Sequence, residues 1–600
     1  MAYKKIGDYG IIGNGHTAAL VSNDGSIDWC CLPRFDSPSM FAALLDDDKG
    51  GRFYIRPRKR YQAHQSYLPD TNVLRTTFKT ATGEITLTDF MPWYRTTNKG
   101  LSHPDEVHRL IHCTAGEVEM EILFEPRFDF ARGHTDLRIL KNGLAALHSE
   151  EAVGLSSTAS FTLTGNSAVS HFTLRKGEDC PLILHYGLKR PRHVALCHTK
   201  EKLQHTVMYW REQAECCSLS GPWRDAIIRS YLALHLMVYV PTGTIVAAPT
   251  TSLPEKIGGE RNWDYRYTWL RDAALTVNAF SWLGHTDEAV GFFNWLVSVC
   301  ETCGPRARTF YNIDFEDPRI EQTLDHLKGY RDSRPVRVGN DAVRQLQLDV
   351  FGEVLLAAYS FYKMGGYISG HTWELLKSFV DAAGESWHLP DSGIWEMRSG
   401  PFHFVYSKLM CWAAVTIGIK LAKELEHTEH VEKWQKIAGE IRNDILTRGW
   451  NPNRGAFTQH YDTDALDASN LLIPLYNFLP LSDERVTATI ELTVKELEWS
   501  GLLRRYNTEQ TDDGLRGSEG AFLWCSFWLV RDLLRMNRLD EAKTLYEKLL
   551  GYRNHLGLIS EMVDPNNGEM LGNFPQALTH LAIIVTGMEL IRALEGKKQD

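Results

Sequence analysis

The spacing of apolar residues changes near residue 205, and this change constrains the fold more than any other feature of the sequence. Before it, apolar and polar residues alternate, as at Val118, Met120 and Ile122, which is typical of an antiparallel strand with one buried face. Beyond about residue 222, the apolar residues repeat with the period of a helix. We therefore predict a multidomain protein with β and all-α parts, in which an antiparallel β-sandwich precedes a helical domain.

The helical part is predicted to contain helices of two alternating kinds. Residues 429–447 carry one apolar stripe on an otherwise polar helix, which indicates a surface position. Residues 405–425 and 575–594 are apolar nearly all round, which indicates burial. Six buried helices that alternate with six amphipathic ones predict an (α/α)6 barrel, in which an outer ring wraps an inner ring. The predicted helices cover residues 222–240, 268–283, 286–302, 347–364, 370–384, 405–425, 429–447, 465–478, 482–497, 519–536, 538–551 and 575–594.

A length of 600 residues also exceeds what one compact core usually holds, since most domains have about 100–200 residues. We expect the N-terminal β-sandwich domain at residues 1–205. A linker and the first barrel helix are expected at residues 206–245. The barrel, which we expect to be the catalytic domain, follows at residues 246–600.

Charge and cysteine content narrow the class of protein. Lys and Arg number 65 against 75 Asp and Glu, and no basic cluster stands out, so we do not expect nucleic acid as a partner. We find no apolar leader and no run of about 18 apolar residues, so we expect neither secretion nor a membrane partner. The eleven cysteines are scattered and odd in number, which favours reduced thiols and a cytoplasmic location. The histidines have no metal-ligand spacing, so we expect no catalytic metal and no cofactor. The oligomeric state stays open.

Long loops lead into several of the buried helices, and in an up-and-down barrel these loops meet at one end. Two glutamates in them stand out. Glu396 lies between Trp395 and Met397, and an apolar wall disfavours the charged form of a carboxyl group, as a general acid requires. Glu561 lies in the loop before the last buried helix. Two carboxyl groups that face each other across a cleft are the machinery of glycoside hydrolysis.

Neighbouring loop residues suit a sugar ligand, because a hydroxyl group can donate to a carboxylate such as Asp272 while it accepts from a guanidinium such as Arg271. Trp269 and Trp395 could form walls of a sugar site. Structural alternatives stay open: the glutamates as carboxylates at helix starts, the tryptophans as core, and Arg271 with Asp272 as an ordinary ion pair.

Four segments, in this order along the chain, resemble the active-site segments of glycoside hydrolase family 15, which contains the glucoamylases and their bacterial trehalase-like relatives. They are Trp269–Asp272, Gly393–Glu396, Gly517–Gly520 and Ser560–Glu561. The beginning of the chain is similar to the N-terminal domain of the trehalase-like branch. That similarity covers Ile6–Gly10, Asp24–Trp29 and Pro33–Pro38.

The resemblance implies an inverting hydrolase that releases β-glucose from the non-reducing ends of small soluble α-glucosides, either trehalose or malto- and isomalto-oligosaccharides. It implies that Glu396 is the general acid and Glu561 the general base. The substrate-binding residues that it implies are Trp269, Arg271, Asp272, Trp395, Arg505 and Glu519. Fungal glucoamylases have a second glutamate after the acid, whereas this chain has Met397 and Arg398, so contacts on the leaving-group side stay open.

Two other functions also stay open. One is an inverting disaccharide phosphorylase, in which phosphate replaces the attacking water; a carboxylate base such as Glu561 would repel the phosphate dianion and argues for hydrolysis. The other is a non-catalytic sugar-binding protein.

Overall fold

The computed structural model describes residues 3–96, 100–217, 219–305, 308–315 and 319–596. The first part is an antiparallel sheet domain and the second part is a helical domain, as the two periods of the sequence predict. The strands of the sheet domain are β1 (Tyr9–Gly13), β2 (Ala18–Ser22), β3 (Ser26–Cys31), β4 (Ser39–Phe41), β5 (Arg52–Pro57), β6 (Tyr61–Tyr67), β7 (Leu74–Thr80), β8 (Gly83–Phe90), β9 (Tyr94–Arg95), β10 (Leu101–Ser102), β11 (Glu106–Glu125), β12 (Asp136–Leu140), β13 (Gly143–His148), β14 (Glu151–Ser157), β15 (Thr162–Thr164), β16 (Ser167–Arg175) and β17 (Asp179–Tyr186).

The 20-residue strand β11 joins two sections of this sheet. Its first half pairs with β8 and β17, and its second half pairs with β5 and β16, in each case antiparallel. The register shifts between Cys113 and Ala115, and Gly116 then adopts a φ of +64°. A bulge of this kind bends a strand, so β11 can leave one section and continue in the other.

A buried arginine ties the two sections together. Arg109, on the first half of β11, donates to both carboxylate oxygens of Asp89 at 2.7 and 3.3 Å. It also donates to the carbonyl oxygens of Phe53 and Gly25, which belong to the other section. Arg109 and Asp89 are fully buried. Burial raises the pKa of Asp89 although Arg109 opposes this, so the carboxylate depends on its partner.

Each of the twelve predicted helices has a counterpart in the helical domain. The eighth is the least regular, a 3-10 turn at Ala468–Leu471 followed by one helical turn that contains Pro474. The α-helices of the described residues are α1 (Phe128–Ala131, one turn in the sheet domain), α2 (Thr199–Cys216), α3 (Arg224–Met237), α4 (Ala273–Trp282), α5 (Thr286–Cys303), α6 (Asp349–Lys363), α7 (Gly370–Ser386), α8 (Val405–Glu424), α9 (Val431–Asp444), α10 (Leu472–Leu475), α11 (Glu484–Leu497), α12 (Leu523–Arg535), α13 (Leu539–Leu550) and α14 (Ala577–Leu594).

Helix α2 is absent from the prediction, and its second half lies in the segment predicted as a linker. Its buried face carries Tyr209, Trp210 and Ala214, but most of its other residues are polar. The helical period is therefore weak in this segment.

The short strands of the helical domain form hairpins and small sheets in the loops between helices. They are β18 (Val238–Tyr239), β19 (Thr244–Ile245), β20 (Thr251–Pro254), β21 (Asn262–Asp264), β22 (Thr268–Trp269), β23 (Phe310–Tyr311), β24 (Gln322–Thr323), β25 (Arg337–Val338), β26 (Trp450–Asn451), β27 (Ala456–Phe457), β28 (Glu498–Trp499), β29 (Leu502–Leu503), β30 (Ala521–Phe522), β31 (Met562–Val563) and β32 (Met570–Leu571).

The helices predicted as buried contact one another in sequence order. Helix α4 packs against α6, α6 against α8, α12 against α14, and α14 against α4. Helix α10 and the 3-10 turn before it fill the remaining place between α8 and α12. These contacts make a closed circuit, and the segments that lead into the six helices lie at one end of it.

Two of these helices, α8 and α14, are long and apolar enough to cross a membrane by length and composition alone. In the most apolar 18-residue stretch of each helix, the buried share is 78% for α8 and 72% for α14. This burial is what core helices of a folded domain show.

The sheet domain packs against loops at the end of the helical domain where segments lead into the six buried helices. The indole N–H of Trp29 donates to the carbonyl oxygen of Pro249 at 2.7 Å, and the Tyr330 hydroxyl donates to the carbonyl oxygen of Lys4 at 2.7 Å. Trp29 is fully buried. The sheet domain is therefore a support for loops of the helical domain.

The buried pair on β11 gives a stability prediction. Substitution Arg109→Met leaves the Asp89 carboxylate buried without its partner, which should lower the free energy of unfolding of the sheet domain by about 3–5 kcal/mol. The matched control is Arg175→Met on β16, which removes an exposed ion pair to Glu117 of β11. It should lower the free energy of unfolding by less than about 1 kcal/mol. Urea unfolding followed by far-UV circular dichroism measures both. Equal losses for the two variants would contradict the role given to Arg109.

Candidate active site

The loops that lead into α4, α6, α8, α12 and α14 line one cleft. Seven of the eight residues predicted for the site line it: Trp269, Arg271, Asp272, Trp395, Glu396, Arg505 and Glu561. The eighth, Glu519, lines a neighbouring cavity instead.

Glu396 is held in a strained turn at the cleft. Its φ of +60° lies in the left-handed region, which costs a residue with a side chain about 1–2 kcal/mol. The indole N–H of Trp269 donates to Glu396 Oε1 at 2.7 Å, and Arg271 Nη1 lies 3.6 Å from the same oxygen. The Glu396 carboxylate thus has two polar neighbours, an indole N–H and a guanidinium, and not only the apolar side chains of Trp395 and Met397 that flank it in the sequence. Strain of this kind concentrates at functional sites.

Glu561 is buried, with only 2% of its surface exposed. The Tyr265 hydroxyl donates to Glu561 Oε1 at 2.6 Å. Burial raises the pKa of Glu561, and the negative charge of Glu255 raises it further, whereas the hydrogen bond from Tyr265 and the charge of Arg505 lower it. The backbone of Gly572 covers the carboxylate so closely that a Cβ atom there would lie 2.5 Å from Glu561 Oε2.

One short segment positions both carboxylates. Tyr265, which holds Glu561, and Trp269, which holds Glu396, are four residues apart, and their rings meet edge to face with centroids 5.4 Å apart. Trp269 also stacks on Phe310, its partner in the β22–β23 pair, at 4.8 Å. The segment therefore fixes the two glutamates relative to each other. The sequence prediction omits Tyr265, since its only signal is a place in an aromatic-rich loop.

Arg271 and Asp272 lie in the 3-10 turn that precedes α4. Arg271 Nη1 donates to the carbonyl oxygen of Ile394 at 2.7 Å. Within the described part of the chain, Arg271 Nε and Asp272 Oδ1 are buried without a hydrogen-bond partner. Burial raises the pKa of Asp272 to about 6. Because buried polar atoms are nearly always paired, these two atoms are suited to the hydroxyl groups of a ligand.

Trp395 presents its ring to the cleft, and its N–H is anchored behind it. Its indole N–H lies 3.0 Å from both carboxylate oxygens of Asp467. The Arg505 guanidinium lies 5.4 Å from the centre of the ring, within the range of a cation–π contact. The ring can therefore serve as a fixed wall.

Arg505 is held by two buried glutamates. It donates through Nε to Glu519 Oε1 at 2.9 Å and through Nη2 to Glu255 Oε2 at 2.9 Å. Burial raises the pKa of Glu255, and the charge of Glu519 raises it further, although Arg505 opposes both. Arg505 therefore lines the cleft, whereas the adjacent Arg504 stacks on Trp499 at the neighbouring cavity.

This geometry alters one predicted role and adds one residue. Glu519 is predicted to bind substrate, but it pairs with Arg505 and lies behind it, so its direct effect is on the position of that arginine. Glu255 was not predicted, because it has no aromatic or arginine neighbour in the sequence that would mark it.

The described residues contain one group of three carboxylates close enough to share a metal ion, Asp46, Asp47 and Asp48. It lies on the sheet domain, where Lys328 pairs with Asp48. None of the three lines the cleft.

Comparison with known proteins agrees with the resemblance seen in the sequence. The family described as glycosyl hydrolases family 15 matches residues 221–588, and the family described as trehalase-like, N-terminal, matches residues 2–197. A protein named trehalase from Thermoplasma volcanium is 38% identical over 99% of this chain and 94% of its own length. A protein named trehalase from Mycolicibacterium smegmatis is 38% identical over 99% of this chain and 92% of its own length.

Among solved structures, a bacterial glucoamylase in complex with acarbose matches with a TM-score of 0.74 over 100% of this chain and 95% of that chain, at 13% identity. At this identity the likeness establishes the fold alone, a sheet domain followed by a helical domain as in that glucoamylase. The two family matches and the two trehalases together cover nearly the whole chain. The chain therefore belongs to glycosyl hydrolase family 15, and it is a glycoside hydrolase with a trehalase-like N-terminal domain.

Proposed function

We propose that this hydrolase is an inverting α,α-trehalase, with Glu396 as general acid and Glu561 as general base. The observation that carries this proposal is that Tyr265 and Trp269, on one segment, hold the two glutamates in one cleft. The relatives named trehalase, which match over nearly the whole length of the chain, support trehalose as the substrate in preference to malto- and isomalto-oligosaccharides.

The proposal includes the architecture and the location. The closed circuit of buried helices supports an (α/α)6 barrel, and the contacts of Arg109 across both sheet sections support a β-sandwich. We keep residues 1–205, 206–245 and 246–600 as the proposed division of the chain, with part of the middle segment helical. All eleven cysteines are free thiols, which supports a cytoplasmic location.

The proposed reaction starts with trehalose across the two glutamates. Glu396 donates a proton to the glycosidic oxygen while the bond from this oxygen to C1 of the terminal glucose breaks. Glu561 takes a proton from a water molecule that attacks C1 from the opposite face. The terminal unit is released as β-glucose, and the leaving unit keeps its own α configuration. Glu396 ends as the anion and Glu561 as the acid, and exchange of protons with water restores both.

Arg271 and Asp272 hold the terminal glucose in this proposal, because the unpaired Arg271 Nε–H can donate a hydrogen bond to one hydroxyl group and the unpaired Asp272 Oδ1 can accept one from an adjacent hydroxyl group. Trp269 and Trp395 form the walls. Glu561, which is buried and lines the cleft, favours water over phosphate as the nucleophile, since a phosphate dianion would meet its negative charge.

The product anomers test the reaction. We expect the enzyme to hydrolyse trehalose with a higher kcat/KM than maltose or isomaltose, and early ¹H NMR spectra of the trehalose digest should contain α- and β-glucose in equal amounts. A retaining reaction would release α-glucose alone, and a phosphorylase would release glucose 1-phosphate. Either product, or a clear preference for maltose, would contradict the proposal.

The roles of the two glutamates can be separated with a substrate that needs no acid. We expect Glu396→Gln and Glu561→Gln each to lower kcat on trehalose by roughly 10²–10⁴-fold or more. With α-glucosyl fluoride, whose leaving group needs little protonation, Glu396→Gln should recover most of its activity and Glu561→Gln should not. The exposed Glu509→Gln is the matched control and should retain wild-type rates. A sugar-binding protein without catalysis would show no activity to lose.

The pH dependence tests the hydrogen bond to the base. Glu561 has to lose its proton before it can accept one from water, so kcat/KM should rise with pH through its pKa. The Tyr265 hydroxyl lowers this pKa, so Tyr265→Phe should raise it and move the acidic limb of the pH profile to higher pH. Tyr267→Phe, a buried ring on the same segment that does not line the cleft, is the control. An acidic limb that stays in place in the Tyr265 variant would argue against Glu561 as the base.

A further inference from the structure

The cleft contains a second set of polar groups that the terminal glucose does not account for. In the part of the chain that the structure describes, Arg261 lines the cleft and is 2% exposed, and its Nε atom is buried without a hydrogen-bond partner. Arg398 lines the cleft as well, with 27% of its side chain exposed. These two arginines are distinct from Arg271, which lies beside Asp272. A buried N–H without a partner indicates a place for a ligand acceptor.

Arg398 is held rigidly, yet most of its donors are free. Its Nη1 and Nη2 atoms donate to the two carboxylate oxygens of Glu321 at 3.3 and 2.6 Å. The guanidinium lies 4.4 Å from the centre of the Trp263 ring. A guanidinium has five N–H donors, so the contacts to Glu321 leave about three of them for a ligand.

Several contacts hold the Trp263 ring in place next to Arg398. Arg337 also contacts its ring, at 4.5 Å, and donates to Glu321 at 2.7 Å, so one carboxylate fixes both guanidinia. The indole N–H of Trp263 donates to Glu255 Oε1 at 3.0 Å. Since Trp263 lines the cleft, its ring and the Arg398 guanidinium form one preorganised surface.

The loop at residues 513–515 contacts both Arg398 and Arg261. The backbone N–H of Arg398 donates to the carbonyl oxygen of Asp513 at 2.9 Å, and the Asp513 side chain accepts from Arg261 Nη1 at 2.7 Å. At Gly514, a Cβ atom would lie 2.7 Å from the Arg398 carbonyl carbon, so the two backbones are in direct contact. Leu515 continues the wall along the cleft.

We propose that Arg398, Arg261 and the Trp263 ring form the binding site of the leaving glucose, and that Arg398 is a hydrogen-bond donor to it. This inference rests on the proposed function. The general acid has to reach the oxygen that joins the two sugar units, so the units lie on either side of Glu396. Arg271, 3.6 Å from the Glu396 carboxylate, is assigned to the terminal unit, and Arg398, two residues after Glu396 in the sequence, is a cleft arginine with donors left for the leaving unit.

The test compares a substrate that has a leaving sugar with one that has none. Arg398→Ala should lower kcat/KM on trehalose by roughly 10- to 100-fold, the effect of losing hydrogen bonds from a charged donor. On α-glucosyl fluoride, which has no leaving sugar, the same variant should stay within about threefold of wild type. Arg398→Lys, which keeps the charge but has fewer donors, should fall between the two on trehalose.

The matched control is Arg504→Ala, because Arg504 also stacks on a tryptophan, Trp499 at 4.8 Å, but lies outside the cleft. It should leave both substrates unaffected. Equal losses on both substrates for Arg398→Ala and Arg398→Lys would mean that Arg398 only supports Trp263 or Glu396, and would overturn the inference. Unchanged trehalose kinetics in Arg398→Ala would overturn it too. A wild-type enzyme that hydrolyses the fluoride but not trehalose would instead refute the proposed trehalase function.

Discussion

The arrangement of the candidate active site depends on the contact between Tyr265 and Trp269. Each ring holds one carboxylate by a single hydrogen bond, and the rings rest against each other. The separation of the two carboxyl groups decides whether a glycosidase leaves room for an attacking water. In this chain the two rings that hold these carboxyl groups belong to one peptide segment, although the two glutamates are 165 residues apart in the sequence. Local backbone geometry thus fixes a relationship that two distant loops could not maintain alone.

Buried charge is the cost of this arrangement. Glu255, Glu519 and Glu561 lie close together, and Arg505 neutralises the first two directly. Removing charges from water is expensive, and a shared arginine with several hydrogen bonds offsets part of that cost. Burial raises the pKa of Glu255 and Glu561, and the negative charge of the neighbouring glutamates raises it further. In the proposed reaction this gives Glu561 a raised basicity, which suits a general base better than a fully solvated carboxylate would.

The sequence is sufficient to predict the order of the twelve helices α3 to α14, because alternation between apolar and amphipathic helices reflects burial directly. It also located the loops that contain Glu396 and Glu561. It could not identify Glu255 or the orienting role of Tyr265, since both depend on which loops touch in space and not on any local period. Helix α2 was missed because its buried face is small. The sequence likewise cannot show that Arg505 lines the cleft while the adjacent Arg504 lines the neighbouring cavity.

The same segment also contacts the sheet domain. Arg266 follows Tyr265 directly and is buried; it pairs with both oxygens of Asp264 at 2.8 and 2.7 Å and donates to the carbonyl oxygen of Ser37 in the sheet domain at 2.7 Å. Asp264 also accepts from the backbone of Gly339, in the loop before α6. A residue next to the ring that orients Glu561 is therefore fixed by the N-terminal domain. Because a shift of about 1 Å in a catalytic group can cost roughly 10²-fold in rate, this contact with the sheet domain constrains the position of Glu561, the proposed general base.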